Sequence, residues 1–113
     1  MCYGIAVYTV EYFVDVDGEA VVDIWLRKLA DKQASIRIAT RIDRLERGVF
    51  GDCKPLPDGI WELRIDYGPG YRLYYSMTGK TIILLLCGGD KRRQNADIER
   101  AVTYLQDYKR SKK

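Results

Sequence analysis

The chain has 113 residues, 47% of them apolar and 31% charged, with a net charge of +3, which suits one domain with a single core. Three widely spaced cysteines and no histidine leave no disulfide framework, no zinc site and no Ser–His or Cys–His nucleophilic pair. The longest apolar run, Ile82 to Cys87, falls far short of the roughly 20 residues that cross a bilayer.

No N-terminal stretch combines basic residues, an apolar run and a small-residue cleavage site. The expectation is therefore a cytoplasmic protein, one domain over residues 1–113, with no metal, no cofactor and no membrane partner. Charge is uneven: residues 1–53 carry seven Lys/Arg against nine Asp/Glu, and residues 54–113 carry twelve against seven. That asymmetry suits nucleic acid or an acidic protein partner, without choosing between them.

In chain order, Ile5 to Val14 is rich in β-branched and aromatic residues and predicts a strand. A turn at Asp15–Gly18 precedes a helix from Glu19, with Val22, Trp25, Leu26 and Leu29 on one face. Asp31 is the expected N-cap of a second helix to about Arg47, where Ile38, Ile42 and Leu45 face the core and Gly48 stops the helix. Arg37, Arg41 and Arg44 repeat one position earlier and read as a solvated face.

Residues 51–59, broken by Pro55 and Pro57, read as loop. Strands follow over Ile60–Asp66, Tyr71–Met77 and Lys80–Cys87, the last apolar throughout and so expected to be covered on both faces. A final helix starting between Asp90 and Asn95 runs to about Tyr108, with Ile98, Ala101, Val102 and Leu105 inward, and Lys109–Lys113 reads as a disordered tail. The order β-α-α-β-β-β-α predicts a small α+β domain, an antiparallel-rich twisted sheet packed with a helical hairpin and a C-terminal helix.

Alternation in the middle strands sets Trp61, Leu63 and Ile65 against Glu62, Arg64 and Asp66, and puts Arg72, Tyr74 and Ser76 on one side of the next strand. An odd number of residues in the connection brings Arg64 beside Arg72. Two such cations repel, which is relieved by an anion between them; guanidinium suits phosphate oxygens. Alternatively, Arg64 pairs with Glu62, Asp66 or Asp90. Tyr67, Tyr71, Tyr74 and Tyr75 are either packing residues or platforms for RNA bases. Gly88-Gly89 ahead of a helix admits a phosphate only weakly as a pattern.

RNA phosphodiester cleavage asks little of a protein, because the 2′-hydroxyl is the nucleophile. The site must align it, neutralise developing charge and help move two protons. A lysine crowded by cations can act as base, and Lys54 and Lys91 are the candidates.

The run GDCKPL…ELRIDYGPGYRLYY…IILLLCGGDKRRQNADIERA resembles the RelE/ParE toxin superfamily, in the HigB-like branch of phage-derived Gp49-like or addiction module killer proteins. The likeness extends from Tyr8 to about Tyr104. It implies the toxin of a bacterial type II toxin–antitoxin pair, neutralised by a helix-turn-helix antitoxin, monomeric when free and hetero-oligomeric with that antitoxin. It also implies metal-independent cleavage of mRNA on the ribosome. By the same resemblance Arg72 matches the arginine that stabilises the transition state. Arg64 falls where RelE-type toxins use a lysine as general base, a task left to Lys54 or Lys91. Arg92 matches the proposed general acid. The base-stacking tyrosine of RelE falls near Ile98, so Tyr71 or Tyr74 would have to substitute. Lys91, Gln94 and Asp97 belong to a GGDK-xx-Q-xx-D pattern, with Gln94 and Arg93 as further RNA-binding candidates. The superfamily also contains ParE-like inhibitors of DNA gyrase that act by protein contact, and a module that only binds antitoxin is a third reading.

Overall fold

A computed structural model describes residues 7–112. Its strands are Thr9–Tyr12 (β1), Cys53–Pro55 (β2), Trp61–Ile65 (β3), Tyr71–Met77 (β4) and Ile82–Asp90 (β5); its helices are Val21–Lys28 (α1), Lys32–Glu46 (α2) and Gln94–Ser111 (α3). The sheet order is β1-β5-β4-β3-β2, with β1 parallel to β5 and every other pair antiparallel. This is the expected small α+β domain.

Helix α2 follows its sequence signals closely. The Asp31 carboxylate accepts from the Gln33 and Ala34 amides, satisfying two of the free N–H groups of the first turn. At the other end Gly48 adopts φ +79°, and the Val49 amide donates back to the Arg44 carbonyl at 2.9 Å. Ala34, Ile38, Ile42 and Leu45 are buried against Leu63, Leu73, Tyr75 and Leu85 of the sheet, joined by Val22 of α1. On the opposite face Ala101 and Leu105 of α3 pack on Tyr74, Leu84, Leu86 and Cys87. Strand β5 is thus covered on both faces, which is why it lacks polar alternation.

A bulge between β4 and β5 sets the depth at which the helices sit. Tyr74 pairs with Cys87 but Tyr75 pairs with Leu85, so Leu86 is an extra residue in the ladder. Beyond it the alternation of β5 is shifted: Gly88 lies under the Trp25 ring of α1, and Gly89 lies under the Asp97 carboxylate of α3. A Cβ at either glycine would overlap those side chains.

Several expectations are corrected. The segment read as loop contains β2, a three-residue edge strand pairing Cys53 with Leu63; an X-Pro edge position escaped the pattern because Pro55 needs no ladder donor there. Gly88 and Gly89 are strand residues chosen for close approach, not a phosphate loop. The basic tail is helical as far as Ser111, with Arg110 paired to Asp107 and Lys112 over the Tyr108 ring at 5.2 Å. Ile5 and Ala6 of the predicted first strand, together with Cys2 and Lys113, lie outside the described residues. Among the described residues no helix is long and apolar enough to cross a membrane.

The glycine reading is testable. Gly88→Ala should lower unfolding free energy by roughly 1–3 kcal/mol, the cost of forcing atoms into a packed layer. Gly79→Ala, whose added Cβ would meet Ile82 at an ordinary 3.5 Å, should stay within about 0.5 kcal/mol of the parent. Urea midpoints for the two variants check this; equal values would refute it.

Candidate functional site

The turn between β3 and β4 builds one wall of a cleft. Ile65 pairs with Tyr71, leaving Asp66 to Gly70 as a connection with an odd number of residues, closed by a 3.0 Å bond from the Gly70 amide to the Tyr67 carbonyl. Gly68 and Gly70 adopt φ +57° and +84°, which L side chains rarely reach. The register puts Arg64 directly opposite Arg72. The chain then returns along β5, and the Lys91 amide donates to the Gly70 carbonyl at 2.9 Å, tying a single 3-10 turn at Lys91–Arg93 to the same wall. The resulting open cleft of about 380 Å³ is lined by Asp52, Arg64, Asp66, Gly68, Pro69, Gly70, Arg72 and Lys91.

The three cations differ in how they are held. Arg64 is claimed by Asp52, with Nε and Nη2 donating to Oδ1 at 3.2 and 2.7 Å; that bond pushes the Arg64 pKa further up. Arg72 is mostly buried, its Nε lying 3.7 Å from a carboxylate oxygen of Glu62. Lys91 is exposed and makes no ion pair among the described residues. Charge in the cleft is mixed, because Asp52 and Asp66 share its wall.

Behind the cleft lies Glu62, which alternation sets on the same side of β3 as Arg64 and Asp66. Glu62 is fully buried. Its Oε2 accepts from the Tyr74 hydroxyl at 3.1 Å and from Gln94 Nε2 at 2.7 Å, while Lys54 Nζ stands 3.9 Å from Oε1. Burial, then the Glu62 charge, raises the Tyr74 pKa, so the phenol stays a neutral donor. The polar side of β3 and β4 is therefore not a free surface: Tyr74 packs under α3, Glu62 meets Gln94 at its start, and Ser76 is buried, donating to the Gly59 carbonyl at 2.8 Å.

That burial corrects the stacking candidates. Tyr74 is fully enclosed, and Tyr71 is packed edge-on to Trp25, 6.3 Å between ring centres, on the opposite side of the sheet. Neither offers a face to a base. Gln94 directs one of its two side-chain N–H groups to Glu62. Lys54 sits on the edge strand β2 outside the cleft lining, beside Glu62. Arg92 bonds Asp90 at 2.8 Å, and with Arg93 it lines a separate shallow depression on the 3-10 turn. Arg64 pairs with Asp52 and not with the three carboxylates considered from sequence.

On α2, Arg37 and Arg44 are exposed as expected, and Arg41 is the exception. Arg41 donates to the carbonyls of Arg64 (2.7 Å), Phe50 and Asp52 (both 3.3 Å), fastening the strand that carries Arg64. Arg37 stacks over Tyr67, 4.5 Å from the ring centre. Both brace the cleft from the far side of the sheet. Only a hint of this was present in the sequence, in the stripe of arginines beside an apolar helix face.

Asp97 and Asp90 flank the site with opposite shifts. Burial raises Asp97, opposed by Arg100, whose Nη1 lies 3.2 Å away. The Arg92 side chain lowers Asp90. A carboxyl raised on folding burdens the native state at neutral pH, and that burden lifts as pH falls through its folded pKa. Carboxyl NMR should therefore find Asp97 titrating above the ordinary aspartate range and Asp90 below it. Asp97→Asn should remove the corresponding gain in urea stability on acidification; the reverse order of midpoints would sink the assignment.

Residues 24–109 match the family model described as Phage derived protein Gp49-like (DUF891). An uncharacterized protein of Haemophilus influenzae is 48% identical over 85 residues, covering 75% of this chain and 86% of the relative. The matched span includes every residue of the cleft and the buried Glu62 behind it. The chain belongs to the phage-derived Gp49-like family.

Proposed function

We propose that this protein is a RelE/HigB-like toxin of a type II toxin–antitoxin pair, an endoribonuclease that cleaves mRNA on the ribosome. The observation that carries the reading is the convergence of Arg64, Arg72 and Lys91, from β3, β4 and the end of β5, on one open cleft. Family membership supports it by bringing the toxin context with it. A backbone phosphate seated there meets two guanidinium groups and an ammonium, the donors suited to a dianionic phosphorane-like transition state.

Within this reading Arg72 is the transition-state stabiliser, because its guanidinium is anchored and only part-exposed. Lys91 is the mobile cation and the base candidate inside the cleft; Lys54 stands behind Glu62. Arg92 on the adjacent turn is the acid candidate, and Arg93 and Gln94 extend the surface toward the flanking RNA. With Tyr71 and Tyr74 enclosed, the substrate is gripped by its backbone more than by base stacking. A helix-turn-helix antitoxin is the proposed inhibitor, and the ribosome presents the message.

A second reading, inhibition of DNA gyrase through protein contact, is favoured by Asp52 and Asp66 in the cleft wall, which blunt its appeal to a polyanion. The two are separated by induction in bacteria followed by mapping of mRNA 5′ ends and of DNA breaks. Arg72→Ala should slow cleavage by roughly 100-fold or more, the loss typical of one preorganised charge donor, and relieve growth arrest. Lys91→Ala should relieve it as well, with folding intact by circular dichroism. Full toxicity in an Arg64→Ala, Arg72→Ala double variant would remove the case for this cleft, and DNA breaks without mRNA cleavage would transfer it to gyrase.

A further inference from the structure

From the hydrogen-bond accounting around the cleft we infer that Glu62 is a positioning residue, holding the Arg72 guanidinium at the cleft wall through its charge. The carboxylate has no exposed atom, so it touches no substrate. One of its oxygens, Oε2, collects two hydrogen bonds, from Tyr74 Oη and Gln94 Nε2. These come from the neighbouring strand and from the start of α3, so the carboxylate is pinned from two elements. Its other oxygen, Oε1, and Arg72 Nε are both buried without a hydrogen-bond partner.

That arrangement is unusual for mere structural filling. Orphaned buried polar atoms are rare, and each needs a reason. Arg72 Nε stands 3.7 Å from Oε2 and Lys54 Nζ 3.9 Å from Oε1, within ionic attraction but outside hydrogen-bond length. The charge therefore steers Arg72 without locking it. Arg72 lines the cleft, and a Cβ placed on Gly70 would stand 4.0 Å from its Nη1. Removing the negative charge would leave Arg72 facing Arg64 and Lys91 with nothing behind it, and like-charge repulsion would drive it from the wall. For its activity arm this inference rests on the nuclease reading; its structural arm does not.

The experiment uses the full chain labelled with nitrogen-15 and follows the Arg72 Nε–H signal. In the parent that proton should exchange slowly. In Glu62→Gln, which keeps the shape and an acceptor for Tyr74 or Gln94, exchange should quicken by at least about tenfold as the group detaches. Cleavage of ribosome-bound mRNA should fall by roughly tenfold to a hundredfold, the scale of a small displacement of a catalytic group. Glu62→Asp, which restores the charge, should recover part of both. Glu62→Gln should add nothing to Arg72→Ala, yet lower activity further in Lys91→Ala. Fast exchange in the parent, unchanged exchange in Glu62→Gln, or an added loss in the Arg72→Ala background would overturn the inference. Should Glu62→Gln fail to fold, the parent exchange rate and Glu62→Asp decide. If no preparation cleaves mRNA, the nuclease reading fails, while the exchange data still judge the role of Glu62.

Discussion

Everything in this molecule is hung on a central strand that must be thin at one end. Over Ile83 to Leu86 strand β5 is pure hydrocarbon, sealed by helices on both faces. At Gly88 and Gly89 it gives up side chains altogether, so Trp25 and Asp97 can press onto its backbone from opposite sides. The bulge at Leu86 decides which glycine meets which helix. Because α3 is drawn down onto Gly89, its first residue, Gln94, reaches Glu62. The chemistry of the cleft is thereby set by a packing constraint two strands away.

A second layer of organisation is electrostatic. Four arginines in and around the cleft are held by neighbours: Asp52 for Arg64, the Glu62 charge for Arg72, three backbone carbonyls for Arg41, an aromatic ring for Arg37. Lys91 alone of the cleft cations has no such tether among the described residues. Fixed guanidinium groups lose little entropy on meeting an anion, which is the physical basis of preorganisation. Crowding so many cations together is tolerable only because carboxylates are interleaved at short range.

Local rules carried much of this fold. Asp31 and Gly48 delimit α2 from sequence, and Ile38, Ile42 and Leu45 mark its inner face. Strand β4 has the limits its alternation predicts, and the odd-numbered turn sets Arg64 against Arg72. What alternation does not encode is depth. It says that Glu62, Tyr74 and Ser76 share a side, and nothing about what lies over them. For that reason the pattern placed the carboxylate behind the cleft on a polar face without revealing its burial, and left the tyrosines open between packing and stacking. Arg41 was misjudged for a related reason: its partners are carbonyls, which leave no trace in side-chain pattern. The short β2 was hidden by prolines that an edge position tolerates.

Strand β1 lies parallel to β5 at one margin of the sheet, so the first described strand docks on the last. Long-range pairings of this kind cannot form until the distant partner exists. A nascent chain that has not yet reached β5 therefore lacks both the partner of β1 and Lys91, which follows that strand. The cleft, which needs β3, β4 and Lys91 together, assembles only after β5 is in place.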